Sequence, residues 1–147
     1  MQLEYNDISL NILSNLSFIN STLLTRTNIE ILHNTDISSS NLRTIEGYFN
    51  INGANITSST LTSEKEDIHI SNGNYTNCNF TIVNNPFISD SSQAIIEISG
   101  GIFDNCEFFL NGNHFQTNDA SFTNCFLYNY AQVLGSLPSS VILNIQN

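Results

Sequence analysis

One unit of about 19 residues recurs along the chain, and a chain built this way has few folds open to it. The clearest copy runs from Ile96 to Phe108, as Ile-Glu-Ile-Ser-Gly-Gly-Ile-Phe-Asp-Asn-Cys-Glu-Phe. Ile70 to Phe80 and Thr117 to Leu127 repeat it. Steps of the same length, broken once by the interruption between Phe80 and Ile98, align Phe18, Ile37, Ile56, Tyr75, Phe103 and Phe122 in one column. Five residues earlier stand Leu13, Leu32, Ile51, Ile70, Ile98 and Thr117, and three residues later Ser21, Ser40, Ser59, Cys78, Cys106 and Cys125. Two beyond these come Leu23, Leu42, Leu61, Phe80, Phe108 and Leu127.

Within a unit the signal is strand. Ile68-His69-Ile70, Ile96-Glu97-Ile98 and Ile8-Ser9-Leu10-Asn11-Ile12 alternate with period two, and no window carries a capped helical period. A unit this short, made of strands and bends, predicts one coil of a parallel β-solenoid. About seven coils spaced about 4.8 Å apart would make a rod roughly 33 Å long. The expected fold is therefore all-β, a single solenoid domain over residues 1–147. Residues 1–12 form an N-terminal edge or cap, 13–135 carry the repeats, and 136–147 form a C-terminal edge or cap. The interruption at residues 84–93, with Asn84-Asn85-Pro86 and Ser89 to Gln93, reads as a loop inserted on one side of the stack. Val141-x-Leu143-x-Ile145 slips out of the repeat's register yet keeps its own alternation, as a cap strand or an edge awaiting a partner does.

The units Tyr75 to Phe80, Phe103 to Phe108 and Phe122 to Leu127, preceded by Ile-x-Ile and Gly-Gly or Asn-Gly, resemble coils of right-handed parallel β-helices. That is the pectin-lyase-like fold, used also by surface and adhesin-type repeat proteins. The resemblance spans residues 8–145 and implies a rigid β-helix. The coil is shorter than that family's usual one, and nothing matches the catalytic motifs of its polysaccharide lyases. A leucine-rich-repeat-like solenoid is the alternative, since Ile98-x-x-Gly101-x-Phe103-x-x-Cys106-x-Phe108 follows its spacing in outline. Small residues where that repeat wants leucine speak against it.

Only three basic residues, Arg26, Arg43 and Lys65, stand against 13 acidic ones, for a net charge of −10. Such a surface cannot neutralise a phosphate backbone, so nucleic acid is not an expected partner. Nor is membrane insertion, because no apolar run approaches the roughly 18 residues of a span. The first residues, Met1-Gln2-Leu3-Glu4-Tyr5, do not read as a signal peptide, so the protein either stays inside or is a mature or excised piece of something longer; of these an extracellular or cell-surface location is the expectation.

The columns assign most of the reactive residues to structure. Cys78, Cys106 and Cys125 share an inward column with serines, so the position needs a small side chain and the expected metal and cofactor content is none. Asn77, Asn105 and Asn124, with Asn20, Ser39 and Ser58, are expected at a bend. They are read as a further inward column in which stacked amides bond to the copies above and below, beside the Phe103 and Phe122 column. His33, His69 and His114 fall at different offsets. Five sequons are present, and Asn55, Asn74 and Asn79 are expected to face solvent as glycan acceptors while Asn20 points inward. No catalytic constellation emerges. The expectation is a non-enzymatic structural or surface module, assembling or adhering through its faces and open ends with copies of itself or adjoining solenoid segments. The alternative is a carbohydrate-binding or carbohydrate-cleaving module of glycoside hydrolase type, using a face around Asp104, Glu107, Asp119 and the inserted loop.

Overall fold

A computed structural model of the chain describes residues 2–4, 11–84, 93–131 and 139–144. Within them the chain winds through three strands per coil, and each strand pairs in parallel with its counterparts above and below. The first sheet is built from Asn11–Leu13, Ile29–Ile31, Phe49–Asn52, Ile68–Ser71, Ile95–Ser99 and His114–Asn118. The second stacks Ser17–Ile19, Asp36–Ser38, Asn55–Thr57, Asn74–Thr76, Ile102–Asp104 and Ser121–Thr123. The third stacks Thr22–Thr25, Asn41–Thr44, Thr60–Ser63, Asn79–Ile82, Glu107–Phe109 and Phe126–Ala131. It is extended at one end by Gln2–Glu4 and at the other by Ser139–Asn144. No helix occurs among the described residues, which rules out the leucine-rich-repeat-like alternative with its helical or 3₁₀ return segment.

The described coils number fewer than the seven expected. Six strands in each of the first two sheets make five full turns, about 24 Å of axial rise at one strand spacing per turn. The shortfall lies at the ends, where Gln2–Glu4 and Ser139–Asn144 add single strands rather than whole coils. Ser139–Asn144 also runs the other way. It pairs antiparallel with Phe126–Ala131, Leu127 opposite Leu143, so the parallel stacking of the third sheet stops there. Residues 85–92 of the inserted loop, and 5–10, 132–138 and 145–147 at the ends, lie outside the described residues.

Two left-handed corners turn the coil. Between the second and third sheets, Asn20, Ser39, Ser58, Asn77, Asn105 and Asn124 all have φ between 48° and 55°. Between the first and second, Asn15, Asn34, Gly53, Asn72, Gly100 and Asp119 have φ from 52° to 91°. Asn, Asp and Gly are the residues that reach this conformation at least cost, which explains their abundance here. Asn77, Asn105 and Asn124 are therefore bend residues, but they are not inward-facing. All three are exposed, as is Asn20. The physical reason is that a left-handed residue breaks the in–out alternation. In Phe122-Thr123-Asn124-Cys125-Phe126-Leu127 the pattern is buried, exposed, exposed, buried, exposed, buried, so the corner amide turns out and the sulfur behind it turns in. The amide ladder forms elsewhere, on the first corner and the outer face of the second sheet. There Asn34 Nδ2 donates to Asn15 Oδ1 (3.2 Å), Asn55 Nδ2 to Asp36 Oδ1 (3.0 Å) and Asn74 Nδ2 to Asn55 Oδ1 (3.0 Å).

The core is the interior of the stack. Phe103 and Phe122 stand in the inward column of the second sheet with Phe18, Ile37, Ile56 and Tyr75, all buried. The third sheet contributes Leu23, Leu42, Leu61, Phe80, Phe108 and Leu127. In the first sheet one assignment shifts: Ile31, not Leu32, is the fully buried partner of Leu13 and Ile51. The step there is 18 and then 20 residues, because one residue passes from the corner at Arg26–Asn28 to the corner at Leu32–Thr35. The inserted loop lengthens a single step to 28, Tyr75 opposite Phe103, after which 19 resumes. No buried side-chain nitrogen or oxygen among the described residues lacks a partner.

Candidate functional sites along the corners

The thiol column lies just behind the corner between the second and third sheets, on the residue that follows each left-handed turn. Ser21, Ser40 and Ser59 occupy it in the first three coils and Cys78, Cys106 and Cys125 in the last three, and all six are buried. Each side chain bonds to the carbonyl two residues earlier. Ser40 Oγ donates to Ser38 O at 2.7 Å and Ser59 Oγ to Thr57 O at 2.7 Å, while Cys78 Sγ approaches Thr76 O at 3.3 Å and Cys125 Sγ approaches Thr123 O at 3.3 Å. Sulfur thus takes over the hydroxyl's task at sulfur's longer distance. All three thiols are free. Cys106 lies between the other two, and its hydrogen bonds with Cys125 and Cys78, reinforced by burial, push its thiol far up. The outer thiols move the opposite way through the same contacts: the bond with Cys106 draws Cys78 down and Cys125 to about 7.

In the first three coils the outside of this corner is a shallow trough of about 440 Å³, lined by Asn20, Ser21, Thr22, Ser39, Ser40, Asn41 and Ser58. Each lining side chain carries an amide or a hydroxyl and none is charged, in a strongly acidic protein.

The three carboxylates of the expected acidic face do not all share one corner. Asp104 ends a strand of the second sheet and Glu107 begins one of the third, with the Asn105 corner between them. Asp119 belongs to another corner altogether, the one turned by Asn15, Asn34, Gly53, Asn72 and Gly100 in the other coils. The inserted loop leaves from a third corner, between Asn79–Ile82 and Ile95–Ser99. Asp119 therefore reads as a corner residue tolerant of left-handed φ.

A cluster that the repeat offsets did not single out sits on the outer face of the first sheet. His69 and Glu97 occupy one column, and His69 Nδ1 lies 3.0 Å from Glu97 Oε2 while Nε2 lies 3.5 Å from Asp67 Oδ2. Tyr48 meets the imidazole edge-on at 6.5 Å. Asp67 Oδ1 also accepts the N–H of Ile95 at 2.8 Å, so the cluster fastens the chain where it rejoins the stack after the insertion. The pairing was readable in the alignment of Ile68-His69-Ile70 with Ile96-Glu97-Ile98. The carboxylates approach opposite edges of the ring, and among the described residues no three His, Cys, Asp or Glu side chains gather as a chelating cluster.

The sequon residues divide by exposure. Asn55 and Asn74 are exposed on the second sheet, Asn79 is half-buried, and Asn20, expected to be hidden, is exposed.

Three in-register sheets joined by two left-handed corners make this protein a parallel β-solenoid. No known protein family, characterised protein or solved structure matches the chain.

Proposed function

We propose that this chain is a non-enzymatic β-helix module of the right-handed, pectin-lyase-like kind found in surface and adhesin-type repeat proteins. It works at the cell surface or outside the cell, in assembly or adhesion through its faces and ends. The observation that supports this most is the set of sheet edges. Asn11–Leu13 and His114–Asn118 bound the first sheet, Ser17–Ile19 and Ser121–Thr123 the second, and each has a strand neighbour on one side only among the described residues. Such an edge is a template for another strand, and here it suits a coil of the same build, from a second copy or an adjoining solenoid segment. In that location exposed Asn55 and Asn74 are glycan acceptors.

Sedimentation velocity with electron microscopy across a concentration series tests this reading. End-to-end oligomers or filaments that lengthen with concentration are expected. A single monomeric species at every concentration would contradict it.

The neutral trough at the Asn20–Ser58 corner favours a second reading, a carbohydrate-binding module, because an amide and hydroxyl wall matches the hydrogen-bonding groups of a neutral glycan. Glycan-array binding lost in Asn41→Ala would support it. If a glycan is cleaved, Asp104→Asn and Glu107→Gln are the variants that separate an enzyme from a binding module.

A further inference from the structure

The third sheet ends in the one antiparallel strand among the described residues. Ser139–Asn144 is six residues long, pairs with Phe126–Ala131 on one side and has no second strand neighbour among the described residues. Its sequence, Ser-Ser-Val-Ile-Leu-Asn, holds no charge and no proline, and three apolar residues stand together in it. Charge and proline are the means by which an edge strand is ordinarily kept from pairing, and both are missing here.

Charge also selects what can pair with it. The chain carries a net charge of −10, so copies repel wherever their carboxylates meet. No charged side chain follows Asp119, and the last two strands of the third sheet lie wholly beyond it. The outer face of that sheet loses its polarity in the same direction. Along successive strands Glu107 is followed by Phe126, which is 38% exposed, and Thr81 by Phe109 and Tyr128, whose rings stack at 4.8 Å. The opposite end of the sheet, Gln2–Glu4, offers three residues, one of them acidic. A second copy presenting Ser139–Asn144 therefore matches this edge in length and in lack of charge. One presenting Gln2–Glu4 would cover half of the strand and bring a carboxylate to the seam.

Resting on the assembly reading above, we propose that two copies of this chain join tail to tail through Ser139–Asn144 about a two-fold axis, so that the third sheet runs unbroken through both. A two-fold contact is self-complementary, and an axis perpendicular to the sheet sets a strand antiparallel to its own copy. Residues directly opposite in an antiparallel pair share a face, so one residue must stand opposite itself. Overlap of the six-residue strand is fullest when that residue is Val141 or Ile142. Opposed Cα atoms in such a pair lie about 4.5–5.5 Å apart, within disulfide range. The Gln2–Glu4 ends point away from the contact, where longer assemblies can grow.

Val141→Cys and Ile142→Cys, held at micromolar concentration in a glutathione redox buffer, test this on the full chain. One of the two should form a disulfide-linked dimer. The unaltered chain, whose three cysteines are buried, and Gln2→Cys should not. Ile142→Lys sets like charges across the axis and should weaken association by about tenfold or more in sedimentation equilibrium, with the β-sheet circular dichroism unchanged. Should that variant lose its sheet signal, the cysteine variants decide alone. Oligomers that form with neither crosslink, undiminished association of folded Ile142→Lys, or Ile142→Cys crosslinking to Gln2→Cys rather than to itself would overturn the tail-to-tail contact and leave the assembly reading standing. A monomer at every concentration would overturn both.

Discussion

The first three coils and the last three share one backbone path but are filled with different chemistry. In the first three, the inward columns of the second and third sheets are largely aliphatic, Ile37 and Ile56 beside Leu23, Leu42 and Leu61, and the corner column is serine. In the last three the same columns hold Tyr75, Phe103 and Phe122 beside Phe80 and Phe108, and the corner column is cysteine. A third column changes at the same place: Thr25, Thr44 and Ser63 give way to Ile82 and Leu110. In the hydroxyl coils those side chains fasten the turn that follows. Thr44 Oγ1 receives the Gly47 N–H at 3.0 Å and Ser63 Oγ that of Glu66 at 3.1 Å. Where Leu110 replaces them, Asn113 serves the corner instead, donating to Leu110 O and Asn84 O and accepting from Ala94 N.

The difference teaches that register, rather than any one core residue, defines this fold. Parallel in-register strands place like on like at about 4.8 Å, close to the spacing at which offset rings attract. Accordingly Tyr75, Phe103 and Phe122 stack at 4.6 and 5.1 Å, and Phe80 stacks on Phe108 at 5.2 Å. The two ring columns meet edge-on, Tyr75 to Phe80 at 74° and Phe80 to Phe103 at 67°.

Substitutions matched across the halves test this. Phe103→Ala removes a ring that touches Tyr75, Phe80, Phe108 and Phe122, and should cost about 4–5 kcal/mol, against about 3 kcal/mol for Ile37→Ala in the aliphatic half. Chemical denaturation of both variants reads the gap. Equal losses would mean that the ring stack adds nothing beyond its buried area.

Next in size is a pair of glycines. A Cβ on Gly73 would lie 2.4 Å from Ala54 O and 2.7 Å from the Tyr75 hydroxyl, at φ +106°, whereas on Gly53 it would meet nothing nearer than His33 Cβ at 3.4 Å, at φ +71°. Gly73→Ala should cost about 3 kcal/mol and Gly53→Ala about 1 kcal/mol by the same measurement. The closest obstacle at Gly73 is the backbone of Ala54 in the preceding coil, and a Cβ on Gly53 meets no counterpart to it.

Tyr75→Phe leaves Asn72 O without its donor and should cost about 1 kcal/mol at neutral pH. It should also flatten the alkaline limb of the stability profile. Burial, then the neighbouring Cys78 and Cys106, raise the Tyr75 pKa well above its ordinary value. Above about pH 10 the unfolded phenol ionises while the folded one keeps its proton. The folded state then binds more protons, so this contribution is complete below pH 10 and lost as pH rises. An unchanged alkaline limb in the variant would assign the decline to other groups. The smallest effect belongs to the exposed amide ladder, where Asn55→Ala should cost no more than about 0.5 kcal/mol.

Much of this was legible in the sequence because an in-register solenoid repeats its side chains at a fixed offset. The Phe18-to-Phe122 column, the serine and cysteine column and the inserted loop are visible in that offset alone. Left-handed corners are visible in Asn and Gly. The direction of the corner amides is not, because alternation predicts it only for residues that stay extended, and these do not. Ile31 was obscured because Ile29-Glu30-Ile31-Leu32 offers adjacent apolar residues, and only pairing across the sheet chooses between them. Asp104, Glu107 and Asp119 are near in sequence, yet only Asp104 and Glu107 flank one corner, while Asp119 turns another.

The most direct test of the in-register solenoid is a map of backbone NOEs across the sheets in solution. Tyr75 should show parallel cross-strand contacts to the Phe103 strand and Phe103 to the Phe122 strand, offsets of 28 and then 19 residues. Ile31 should be linked to Leu13 and Ile51. Antiparallel cross-peaks among these strands, or any other set of offsets, would contradict the account.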